Sequence, residues 1–94
     1  MATISSDVLA SYAADAARDV PGVSGLVEST LHRHQGVRVV EADGGVRIEL
    51  HIAVDWGASI PDVGRELQSR VAAYLARMAS VEADAVDVVV DEIA

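Results

Sequence analysis

The sequence predicts an α+β fold: a two-layer sandwich whose three-stranded sheet carries two helices on one face, in the order αββαβ. Three observations predict it. Residues 46–56 (VRIELHIAVDW) alternate apolar and polar side chains without a break, the period-two signature of a strand with one buried face. After Gly57 the period changes. Ile60, Val63, Leu67, Val71, Tyr74 and Met78 recur at spacings of three and four, which describes one face of a helix. Finally, Asp43-Gly44-Gly45 stands between two strand-like segments, a strong tight-turn signal.

The elements follow in chain order. Ser5 or Ser6 suits an N-cap, with Asp7 in the first turn, where a carboxylate favours the helix dipole. The first helix is expected to run to about Asp19, with Val8, Leu9, Tyr12, Ala13, Ala16 and Val20 inward. Pro21-Gly22 ends it, because proline cannot continue the hydrogen-bond ladder and glycine tolerates the exit geometry. Residues 23–35 (VSGLVESTLHRHQ) read equally as an irregular connection, a helical turn or a weak strand. A strand is predicted at 36–42 (GVRVVEA), and the long strand follows the turn. Ser59 is expected to cap the second helix, with Asp62 completing a short capping box and Pro61 in the first turn. Val86, Val88 and Val90 alternate with Asp87 and Asp91, predicting a last strand near 85–92. Trp56 from the long strand and Met78 from the second helix are expected to close one small core.

The 94 residues are expected to form one domain, 1–94. The apolar content is mostly Ala and Val, with no Phe, so the predicted core is thin and a self-association surface would help to stabilise it. Fifteen acidic residues against seven Arg give a formal charge of −8. That balance argues against nucleic acid as a partner and against adsorption to an anionic membrane. Cysteine is absent, so disulfide and thiolate chemistry are excluded. No apolar run approaches the ~18 residues of a membrane span, and MATISSDVLASY lacks the basic and apolar regions of a secretory signal. A cytoplasmic protein with no cofactor is expected, with any membrane association made through a partner.

Four groups of residues invite a chemical reading. His32-x-His34 would point two rings the same way on a strand, but a closed zinc site needs further ligands, for which His51 or Glu28 would have to be recruited. His51, Asp55 and Glu49 share the polar face of the long strand. A His among carboxylates can perform acid–base work in a small hydrolase or isomerase, yet no nucleophile or glycine-rich elbow accompanies the set. Gly22-Val-Ser-Gly25 matches the phosphate-clamping GXXG loop of K-homology domains, but its centre is uncharged and the chain is acidic. Glu82, Asp84, Asp87, Asp91 and Glu92 concentrate negative charge near the end of the chain, a loose calcium or magnesium pattern that also suits a solvated sheet edge. No catalytic, cofactor-binding or metal residue is assigned.

From Gly36 to Ile93 the sequence resembles the alkaline shock protein family of bacterial stress and envelope-stress proteins. The resemblance rests on the GVRV strand, the strand IELHIAVDWG, the helix start Ile60-Pro61-x-Val63, and Gln68 with Val71 on that helix. Asp91-Glu92-Ile93 closes a Val-rich strand, and Ile4-Ser5, Val20-Pro21-Gly22-Val23 and Gly25 extend the match through the first third. Trp56 stands where members usually carry Tyr, and Met78-Ala79-Ser80 replaces a frequent Met-Thr-Gly. The resemblance implies a non-enzymatic, abundant, cytoplasmic protein that self-associates. For some members it implies a small integral membrane anchor protein as partner, and a role in stress or lipid-metabolism regulation.

The face of the sheet away from the helices is expected to present Arg38, Val40, Arg47, Glu49, His51, Ala53, Asp87, Val89 and Asp91. Val40, Ala53 and Val89 form its apolar part. These three, with Val88 and Val90 on the last strand's edge, are the expected contact residues.

Overall fold

A computed structural model describes residues 5–28 and 35–94. The fold is α+β, with a mixed four-stranded sheet and two helices on one of its faces. The element order is α1 (Ser6–Arg18), β1 (Val23–Leu26), β2 (Val37–Ala42), β3 (Gly45–Val54), α2 (Ile60–Ala79) and β4 (Ala85–Ile93). His32 and His34 lie outside the described residues.

The sheet has one more strand than the expected three, yet it is only three lanes wide. β2 pairs antiparallel with β3 from Val37 opposite Leu50 to Ala42 opposite Gly45. β1 pairs antiparallel with the other end of β3, with Gly25 opposite Ala53 and Leu26 opposite Ile52. Both take the same edge of β3. At the junction the Val27 N–H donates to the His51 carbonyl at 2.8 Å, and the His51 N–H donates to the Gly36 carbonyl at 2.9 Å. β1 and β2 thus lie end to end along one lane. β1 escapes the sequence pattern because VSGL is short and two of its four residues are Ser and Gly, which are poor in strand propensity. Its partner supplies the order. β4 takes the opposite edge of β3, and the two run parallel, joined through α2.

Asp43 and Gly44 form the predicted hairpin, with φ of 53° and 77°; two central residues with positive φ are what a two-residue turn with the twist of the strands requires. Gly36 also has positive φ, 79°, and a Cβ there would lie 2.8 Å from the Val27 carbonyl oxygen. Only glycine admits the close approach of the two lanes.

The core joins Ile48, Leu50, Ile52 and Val54 of β3 to both helices. On α1, Leu9, Ala10, Ala13, Ala14, Ala16 and Ala17 are buried, while Val8, expected inside, is exposed. Ser5 caps the helix as expected, its hydroxyl oxygen accepting the Val8 N–H at 3.2 Å. Alanine covers so wide a face because a small side chain lets the helix sit close to its neighbours. α2 buries the single row Val63, Leu67, Val71, Leu75 and Ala79. Ile60 and Met78 are exposed and Tyr74 lies half-buried at the flank, so the inward face is rotated from the one expected. Tyr74 instead meets Tyr12 edge to face, ring centroids 6.0 Å apart. Ser59 precedes α2 but makes no side-chain cap bond, and Asp62 pairs with Arg65 rather than completing a capping box.

Trp56 departs furthest from expectation. It is 84% exposed. β3 ends at Val54, where the Asp55 N–H donates to the Gly22 carbonyl and the Trp56 N–H to the Ala94 carbonyl. Gly57 then turns the chain with φ 85°. The alternation continues in sequence for two residues beyond the strand that it describes, so Trp56 does not help to close the core.

Candidate functional site

The outer face of the sheet, opposite the helices, holds the most organised polar group among the described residues. Alternation along β3 puts Arg47, Glu49, His51 and Ala53 there, and pairing with β2 and β4 adds Arg38, Val40, Asp87 and Val89. β4 carries an irregularity at its far end. Ile52 opposes Val90 but Ala53 opposes Glu92, leaving Asp91 as the extra residue of a β-bulge. Asp91 reaches the outer face, the side on which alternation with Asp87 and Val89 expects it.

His51 is central to this face. It is 7% exposed, its Nδ1 lies 2.8 Å from Asp91 Oδ2, and its Nε2 lies 2.8 Å from Glu49 Oε2. Ionised carboxylates only accept hydrogen bonds. Both ring nitrogens must therefore carry protons to satisfy both contacts, which is the imidazolium form. Burial disfavours that charge, but the two hydrogen bonds and the two nearby negative charges outweigh it, so the His51 pKa rises above its ordinary value. The result is a cation held between carboxylates from two strands. Toward the other end, Arg47 bridges β3 to Asp87 of β4 at 3.2 Å.

This arrangement suits holding β4 on β3 and presenting a charged surface. It differs from the acid–base grouping expected of His51, Asp55 and Glu49. Glu49 is present, but Asp55 lies exposed beyond the end of β3, and Asp91 takes its place. Asp91 is forty residues from His51 in sequence; alternation with Asp87 and Val89 puts it on this face, but only the parallel pairing of β4 with β3 sets it against His51. Glu82, Asp84, Asp87, Asp91 and Glu92 do not converge: among the described residues no group of three or more His, Asp or Glu can hold a metal ion. Gly22-Val-Ser-Gly25 is not a loop around a phosphate. Val23 to Gly25 lie in β1, and the close approach of Gly22 is to Val63, whose Cγ2 would stand 2.7 Å from an added Cβ.

The expected contact residues fall in two places. Val40 and Val89 are half-buried on the outer face, and Ala53 is buried in its floor. Val88 and Val90 are half-buried against the core, on the helix side. Beside Ala53, at the end of the face flanked by β1 and β4, lies a groove of about 500 Å³ lined by Gly25, Glu28, Glu92 and Ala94 among others. No helix among the described residues is long and apolar enough to cross a membrane.

Comparisons with known proteins bear on the family and the fold. A family model for the alkaline shock protein 23 family, described as of cell envelope-related function, matches residues 1–94. The uncharacterized protein YqhY of Bacillus subtilis is 30% identical over 95 residues, covering 90% of this chain and 70% of its own length. Among solved structures, a variant of the MamM CTD superposes with a TM-score of 0.63 at 18% identity, covering 96% of this chain and 99% of that one. A manganese form of another MamM CTD variant gives 0.59 at 19% identity, covering 92% and 96%. At such identities the likeness is one of fold.

Proposed function

The chain belongs to the alkaline shock protein 23 family, of cell envelope-related function, and from that membership we propose that it is a non-enzymatic interaction module of envelope homeostasis and stress response. In this reading residues 1–94 are one domain, located in the cytoplasm. It self-associates and docks a partner, and a membrane-anchored partner would hold it at the envelope.

The observation that supports this most is the outer sheet face. Both helices cover the other side. What remains is a surface of Val40, Val89 and Ala53 around the His51 cluster, with no described element packed on it. A sheet face left open with ordered charges and apolar residues is a natural contact surface.

Sedimentation velocity across micromolar to millimolar concentration tests the reading. The wild-type chain should assemble with concentration, and Val89→Asp, which adds a carboxylate beside the His51 cluster, should weaken assembly while a thermal melt confirms folding. A strict monomer, indifferent to Val89→Asp, would remove self-association from the proposal.

A further inference from the structure

One end of the outer face is nearly bare of side chains. Gly25 has none, and a Cβ built on it meets nothing within 4 Å. Ala53, opposite it, offers one methyl group. Together they floor the groove of about 500 Å³, and Glu28 and Glu92 stand among its lining residues. Both glutamates are exposed, and neither is in an ion pair among the described residues. Trp56 adjoins the groove through its backbone. Trp56 donates its backbone N–H to the carbonyl of Ala94, a groove residue, at 2.9 Å, and is 84% exposed. Asp55, next to it, adds a further exposed carboxylate.

We propose that this groove docks an extended segment of a partner protein in which arginine or lysine alternates with apolar residues. The inference rests on the reading of the outer face as an interaction surface, and it specifies the partner's chemistry. A shallow floor of glycine and alanine admits a backbone and small apolar side chains. Exposed carboxylates with no ion pair among the described residues attract cations, and an exposed indole stacks with guanidinium or ammonium groups. A second copy of the chain is a poor occupant. Among the described arginines, Arg18, Arg47, Arg65 and Arg70 are paired with the chain's own carboxylates and Arg77 lies over the Tyr74 ring, which leaves Arg38 of β2 as the one exposed arginine with neither contact, a single cation where the groove offers two carboxylates. A nucleic acid would meet like charge.

Trp56 is the only tryptophan, and its backbone bond to Ala94 makes its fluorescence a reporter beside the groove. The probe is a capped six-residue peptide alternating arginine with leucine or valine, with a control peptide carrying glutamate for each arginine. The cationic peptide should shift Trp56 emission to the blue and move the amide resonances of Gly25 and Ala53, and added salt should weaken it. The glutamate peptide should do neither. E28R/E92R should weaken binding roughly tenfold, the scale of two reversed exposed contacts. Glu82→Arg, near the opposite end of β4, should leave it unchanged. Absence of any response, equal affinity in E28R/E92R, or an equal loss with Glu82→Arg would overturn the groove. Sedimentation of the peptide-free chain separates the two ideas: a chain that self-associates through its outer face yet ignores the peptide refutes the groove alone.

Discussion

His51 and Asp91 face each other across the parallel β3–β4 pair at 2.8 Å, beside the bulge in β4. Glu49 holds the other ring nitrogen at the same distance. This contact should make the attachment of the β4 end dependent on proton concentration.

The pKa of His51 is raised in the fold. A raised pKa means that the folded state binds the proton more tightly than the unfolded state. The stabilisation is therefore complete below the unfolded value, near 6.5, and is lost as pH rises through the folded value. Above it, one ring nitrogen turns a lone pair toward a carboxylate. The His51 ring resonances should titrate above those of an unfolded reference. His51→Gln should cost roughly 1–3 kcal/mol in urea denaturation at mildly acidic pH, and less at alkaline pH. A cost independent of pH would show that the ring acts by packing alone.

Two residues of similar appearance in sequence should behave in opposite ways. Leu67 is fully buried, and Leu67→Ala should cost about 2–5 kcal/mol by opening a cavity. Trp56→Ala should cost less than about 0.5 kcal/mol, as for exposed side chains in general, even though a tryptophan at the end of an alternating strand suggests a core residue. Chemical denaturation of both variants decides the matter.

Glycines give a second contrasting pair. Gly36→Ala meets the Val27 and His51 carbonyls and a φ of 79°, and should lose roughly 1–3 kcal/mol. Gly64 lies inside α2 with nothing near an added Cβ. Gly64→Ala should gain roughly 0.5–1 kcal/mol from helix propensity. A destabilised Gly64→Ala in a thermal melt would contradict the open space around it.

Val88→Asp and Val89→Asp should also separate. Val88 packs against the core and Val89 lies on the outer face, so the first should lower the melting temperature and the second should act mainly on assembly. Parallel melts and sedimentation runs read the two effects independently.

Much of the fold is legible in the order of the residues. The inner face of β3, the Asp43-Gly44 hairpin, the Ser5 cap and the presence of an amphipathic α2 are local patterns, and local patterns are written in neighbouring residues. The helix faces are less legible. Tyr74 and Met78 fit the same spacing as Leu75 and Ala79, and only contact with β4 and α1 selects which row points inward. β1 is ambiguous because its four residues carry little strand preference of their own.

The candidate site divides in the same way. Alternation alone puts Glu49, His51 and Ala53 on one face and Val89 and Asp91 on the matching face of the last strand. It also suggests Asp55 as the partner of His51, because Asp55 is four residues away and in phase. The structure ends β3 at Val54 and brings Asp91 instead. Sequence by itself determined which residues share a strand face and where the chain turns, since backbone geometry and steric preference act over a few residues. Tertiary structure alone decided which edge β1 takes, where Trp56 goes and which carboxylates hold His51. Those outcomes depend on strand pairing and register, and register is set by packing the whole sheet against both helices.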